Sequence, residues 1–215
     1  MEAVKAHIRR KTVIEKLVLN PVFWIVACGF FFAYPVLKSM KRELPATLPV
    51  IQAVPAFEFV NEEGKLFGSK DLFGKVYILN LTCTGCDETQ GAFFKKLQTL
   101  QHRIRGVIDR AAIVSISVDP ATDTSAVLYN KAREMNSNPV VWKLLSAPRA
   151  QTESFVRSLN MPVEVETDLI GMMKREMFVL VDQDGNIRGF YDSDNEGVNR
   201  MMIDTGLLIN RKKNS

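Results

Sequence analysis

The chain has 215 residues, 47% of them hydrophobic, which is enough for one domain with a proper core plus an appendage. Its net charge is +4, but residues 1–42 carry +6 and residues 211–213 a further +3, which leaves −5 on residues 43–210. A mildly acidic body excludes a nucleic-acid-binding face, and the basic ends suit membrane topology and anionic headgroups instead.

Residues 1–16 form a basic N-terminus with Lys5, Arg9, Arg10, Lys11 and Lys16. Residues 17–37, "LVLNPVFWIVACGFFFAYPVL", hold no charge, and a helix of that length spans about 30 Å, the hydrocarbon core of a bilayer. Trp24 and Tyr34 suit an interfacial belt, and Lys38, Lys41 and Arg42 close the segment. The basic excess ahead of the span places the N-terminus in the cytoplasm and the rest outside. A single-pass inner-membrane protein facing the periplasm is therefore expected. The stretch ending at Cys28 looks like a lipoprotein cleavage box, but the apolar run continues through Leu37. An uncleaved anchor is the reading, with lipidation at Cys28 as its alternative.

Residues 38–54, proline-bearing and without helical period, read as a semi-rigid linker. The domain follows over 55–210, with a basic tail at 211–215. "FEFVNEEGKLF" predicts a hairpin, and "KVYILNL" (75–81) a fully apolar strand central in its sheet. From Asp87 to Arg105 a helix is expected, with Phe93, Phe94, Leu97, Leu100 and Ile104 on one face. "AAIVSISVD" (111–119) predicts a second buried strand, "TSAVLYNKAREM" a helix and "PVVWKLLS" a strand. "PRAQTESFVRSLN" predicts a helix with Pro148 in its first turn. "EMFVLVDQDGNIRGFYD" predicts a hairpin around Asp-Gly, and "SDNEGVNRMMIDTGLLI" a closing helix capped by Ser193 or Asp194. This order implies an α/β sandwich around a mixed sheet.

Two of the three cysteines, Cys83 and Cys86, fall where the central strand meets its helix. A type II turn with Gly85 at its third position would bring their Cα atoms to disulfide range. Helix N–H groups and dipole would favour a Cys86 thiolate, while Asp87 and Glu88 oppose that effect. A permanent staple closing so short a loop adds little stability. Zinc lacks ligands, since the only histidines are His7 and His102. The pair therefore reads as redox-active, with Cys86 attacking and Cys83 resolving. Two soft thiolates also suit Cu(I), with Met172, Met173 or Met177 as supplements, although such methionines are more often core. Two role-less core cysteines are the plain alternative.

The stretches "GKVYILNLTCTGCDETQ", "SISVDPATDT", "VLYNKAREM", "VVWKLLSAP" and "MFVLVDQDGNI" resemble the Sco/SenC proteins over about residues 55–210. The resemblance implies a thioredoxin-like fold, a membrane anchor and a role in assembling the copper centre of cytochrome c oxidase. It also implies a partner: a protein substrate or oxidase subunit with a cysteine pair. Family members carry Cys-x-x-x-Cys-Pro and a histidine ahead of the "LVD" strand. Here Cys86 matches the first cysteine, Gln90 falls on the second, Lys174 falls on the histidine, and Cys83 is an addition. Neither Gln90 nor Lys174 is expected to bind metal. Thiol–disulfide exchange in respiratory-chain assembly is the reading, with Cu(I) carriage through Cys83 and Cys86, or a non-catalytic assembly module, as alternatives.

Overall fold

The computed structural model describes residues 48–86, 89–163 and 168–210, together with 19–25, 28, 29 and 31. The chain divides into two units, 1–47 and 48–215, described separately below. The basic N-terminus, residues 38–47 of the linker, Asp87, Glu88 and the basic tail lie outside the described residues, as does most of the span expected over 17–37. Among the described residues no helix is long and apolar enough to cross a membrane.

In the first unit a helical turn starts at Pro21, with Asn20 Oδ1 accepting the Val22 N–H at 3.0 Å. That pairing of an Asn cap with proline at the first helical position is the favoured way to begin a helix. Leu19, Val22, Trp24, Ile25 and Phe31 are all exposed.

The second unit is built on an eight-stranded mixed sheet. Its strands are β1 (Gln52–Ala53), β2 (Glu58–Asn61), β3 (Leu66–Gly68), β4 (Val76–Thr82), β5 (Ala111–Ser117), β6 (Trp142–Ser146), β7 (Met177–Val181) and β8 (Asn186–Asp192). They lie in the order β1-β8-β7-β4-β5-β6-β2-β3. β4, β5 and β6 run parallel and every other pairing is antiparallel. The helices are α1 (Thr89–Ile104), α2 (Ser125–Glu134), α3 (Arg149–Ser158), α4 (Leu169–Lys174) and α5 (Asn195–Asn210).

All seven residues of β4 are buried, as a strand covered on both faces must be. Its side chains alternate between two cores. Tyr77, Leu79 and Leu81 join Ile116, Phe155, Leu159, Met172 and Met173 under α3 and α4. Val76 and Ile78 join Phe93, Leu97, Ile113, Trp142, Met201 and Leu208 under α1, α2 and α5. The expected apolar face of α1 is buried at all five positions. This mixed sheet flanked by helices fits the thioredoxin-like fold that the resemblance implies.

Several local details differ from the sequence reading. Gln52–Ala53, inside the stretch assigned to the linker, pair with β8 as an edge strand. Pro148 sits at the cap position, one residue ahead of α3. Helix α4 was not anticipated; Asp168 caps it, its Oδ1 accepting the Gly171 N–H at 2.7 Å. At α5 the cap is Asp194, which accepts the Gly197 N–H at 2.7 Å. Ser193 instead donates to Glu176 Oε2 and accepts from Lys96 Nζ, each at 2.8 Å.

Candidate functional site

Parallel neighbours β4 and β5 end side by side, with Thr82 opposite Ser117. The segments that leave their carboxyl ends, 83–86 and 118–124, therefore meet, at the end of a parallel sheet where ligand sites form. Cys83 and Cys86 share the first loop and are joined as a disulfide, their Cα atoms 5.5 Å apart. Cys83 is completely buried in the core that holds Leu81, Ile116, Met172 and Met173. Cys86 packs against that core but stays half-buried. Of the two residues, Cys86 is the more accessible.

The turn between them is not the expected type II turn. That type needs φ > 0 at its third residue, and Gly85 is not among the described glycines with positive φ, which are Gly64, Gly74 and Gly185. A Cβ on Gly85 would meet only the Thr122 methyl group, at an ordinary 3.5 Å. What fixes the turn is Asp123, fully buried beneath it. The Thr84 N–H lies 3.2 Å from both carboxylate oxygens, and the Thr84 hydroxyl donates to Oδ1. Ser117 Oγ donates to Oδ2 at 2.6 Å. A buried carboxylate is tolerated only with such a set of donors.

Gln90, on the first turn of α1, is also buried. Its Oε1 accepts the Cys83 N–H at 3.4 Å, while its Nε2 has no partner among the described residues. Gln90 thus supports the cysteine backbone. The described helix begins at Thr89, and residues 87 and 88 between it and Cys86 lie outside the described residues.

The second loop brings a carboxylate that sequence reasoning did not single out. The Cys83 and Cys86 sulfurs and an Asp119 oxygen all lie within 4.8 Å of one another. The two sulfurs fit a soft cation once the disulfide is reduced, since thiolates prefer Cu(I), whereas the carboxylate is a hard donor. An imidazole is missing from that set. His102, the described histidine, is exposed in the last turn of α1, about 20 Å along the helix from Thr89 at 1.5 Å per residue. Lys174, which the resemblance sets at the family's histidine position, is exposed at the end of α4. Met172, Met173 and Met177 are buried in the core that Cys83 joins. Thr84, Ser117 and Asp123 were likewise missed. The available signal was polar Ser115 and Ser117 inside an otherwise apolar strand, where a buried hydroxyl implies a nearby partner.

A family model described as SCO1/SenC matches residues 46–205. No curated protein sequence matches the chain. Among solved structures, the chain is similar to a SCO1/SenC family lipoprotein from Bacillus anthracis, with 24% identity and a TM-score of 0.65, over 76% of this chain and 99% of that one. It is similar to BsSco, described as a member of the Sco family of cytochrome c oxidase assembly proteins with a disulfide switch. That match has 21% identity and a TM-score of 0.65, over 76% of this chain and 97% of the other. ScoI from Bradyrhizobium japonicum, solved with copper bound, matches at 17% identity and a TM-score of 0.57, over 73% of this chain and 99% of that one. At these identities the structural likeness speaks to the fold.

Proposed function

The chain belongs to the SCO1/SenC family, and on that footing we propose that it is a membrane-anchored thiol–disulfide redox protein that supports cytochrome c oxidase assembly. The observation that carries the reading is the asymmetry of the cysteine pair: a fully buried Cys83 bonded to a half-buried Cys86 in a turn held from below. The description of BsSco as an oxidase assembly protein with a disulfide switch supports the same chemistry.

The exchange runs in two steps. In the reduced protein the Cys86 thiolate attacks a disulfide of the target, a mixed disulfide forms, and one target sulfur leaves as a thiol. Cys83 then attacks the Cys86 sulfur, the protein disulfide closes and the second target thiol departs. Two electrons pass to the target, and the reverse sequence oxidises it. A buried resolving sulfur fixed near its partner favours rapid closure, as any intramolecular attack from a set geometry does.

A second reading, Cu(I) carriage, is favoured by the adjacent sulfurs of Cys83 and Cys86 and by the copper-bound relative. Copper is then cargo held by the reduced pair and released when the pair oxidises. The partner in either case is an oxidase subunit or other exported protein with a cysteine pair, reached from a single-pass anchor in the inner membrane with the domain in the periplasm. The exposed apolar side chains at Leu19, Val22, Ile25 and Phe31 support the anchor, because such a surface is at ease in lipid rather than water.

The test uses the Cys83→Ala variant, which has no resolving sulfur. Mixed with an oxidised peptide that carries a cysteine pair, it should accumulate a mixed disulfide at Cys86, whereas the reduced wild type should reduce the peptide. Failure of both would overturn the redox reading. Alkaline phosphatase fused after Ser215 should be active, and an inactive fusion would overturn the topology.

A further inference from the structure

Asp123 lies outside the cysteine loop, yet it organises both halves of the site. Through its carboxylate it takes both donors of Thr84, the residue directly after Cys83. Through Ser117, which donates to Oδ2 at 2.6 Å and accepts the Asp119 N–H at 3.1 Å, it also anchors the start of the Asp119 loop. Its own N–H closes that loop by donating to the Asp119 carbonyl at 2.9 Å. One fully buried group therefore sets the Cys83–Cys86 turn against the end of β5.

A turn held in this way acts unequally on the two redox states. Bonded sulfurs tolerate a Cα separation of 5.5 Å. Two thiols are no longer held at bonding distance and need van der Waals room, which rotation about their Cα–Cβ bonds or a wider turn supplies; a fixed turn leaves only the rotation. Gly85, which carries no special φ, sets no such restraint. Thr84 does, since both of its donors are committed to a carboxylate that cannot follow it toward solvent.

We propose that Asp123 is a positioning residue for the redox chemistry of this pair: through Thr84 it holds the turn in its disulfide geometry and shifts the dithiol–disulfide equilibrium toward the disulfide. The inference rests on the thiol–disulfide reading above. The reaction concerned is exchange with glutathione: the protein disulfide and two glutathione thiols give the protein dithiol and one glutathione disulfide. The lock supplies neither electrons nor protons to it. A merely structural role for Asp123 would destabilise both redox forms alike and leave that equilibrium constant unmoved.

The experiment equilibrates the full-length chain in detergent micelles with graded mixtures of reduced and oxidised glutathione, and reads the oxidised fraction by alkylation and mass. Thr84→Val removes the hydroxyl and keeps the shape and the N–H. It should ease reduction about tenfold, a shift of about 30 mV. Thr84→Ser, which restores the hydroxyl, should stay within about twofold of wild type, and Asp123→Asn should shift in the same direction as Thr84→Val. Where Asp123→Asn fails to fold, Thr84→Val against Thr84→Ser carries the test. Reversible exchange with Thr84→Val unmoved, or shifted the other way, would overturn the lock alone. A wild-type pair that never equilibrates with glutathione would overturn the redox reading and the lock with it.

Discussion

Burial alone makes the two sulfurs unequal, and the inequality can be sized. The Cys83 side chain is fully buried, while Cys86 is half-buried. For a reagent to reach reduced Cys83, the end of β4 must open, which breaks the Cys83–Gln90 bond and frees Thr84 from Asp123. At about 1.5 kcal/mol for each of two such attachments, opening costs about 3 kcal/mol. At about 1.4 kcal/mol per factor of ten, the Cys83 rate falls roughly a hundredfold below that of Cys86. The assay reduces the full-length protein, alkylates it with limiting iodoacetamide at graded pH, and locates the adduct by peptide mass. Cys86 should carry almost all of the first modification. Rates within tenfold of each other, or Cys83 reacting first, would refute the reasoning and the assignment of Cys86 as the attacking thiol.

Three other outcomes are expected. Wild-type protein should show no stable Cu(II)–thiolate absorption band, because the position at the end of α4 offers the ammonium of Lys174 in place of an imidazole; Lys174→His should produce one, and a band already present in wild type would contradict this. Ser115 Oγ accepts the Trp142 Nε1–H and donates to Asn80 Oδ1, both at 2.9 Å and buried. Ser115→Ala strands the indole donor at about 1–3 kcal/mol, so Tm should drop by about 2–12 °C; an unchanged melt would contradict that. Burial, aided by the Asp182 charge for Tyr77 and by the Asp204 hydrogen bond and charge for Tyr191, holds both phenols well above the usual tyrosine range. The folded state then keeps protons that the unfolded chain loses above about pH 10, so stability should fall as pH rises beyond that point. The double Tyr→Phe variant should flatten that decline in urea midpoints, and an equally steep decline would contradict the account.

Elements with a strong period were legible in the sequence. The apolar run of β4 announced a strand covered on both faces, and the 93–104 pattern announced the buried stripe of α1. The Asp-Gly pair announced the β7–β8 turn, where Gly185 takes a φ of 82°. Helix α4 has only six residues and too few turns to establish a period; its start depends on the Asp168 cap. β1 has two residues and exists only because β8 offers an edge. At the site, the cysteines were visible as residue types, but their setting was not. Gly85 suggested a glycine-driven turn, yet the turn is fixed by a residue 39 positions from Thr84. Asp119 meets the sulfurs only because β4 and β5 pair in parallel and end together. Contacts of that kind depend on sheet register, which local sequence does not carry.

The central claim is that Cys83 and Cys86 work as a reversible redox pair and hold copper, if at all, only as Cu(I) in the reduced state. It is tested most directly by a potentiometric titration of the full-length protein in which thiol count and copper content are read from the same samples. The account predicts one two-electron transition, loss of both thiols together, and departure of any bound Cu(I) as the disulfide forms. Two thiols that stay free in oxidising buffer, or copper that stays bound after they are lost, would contradict it.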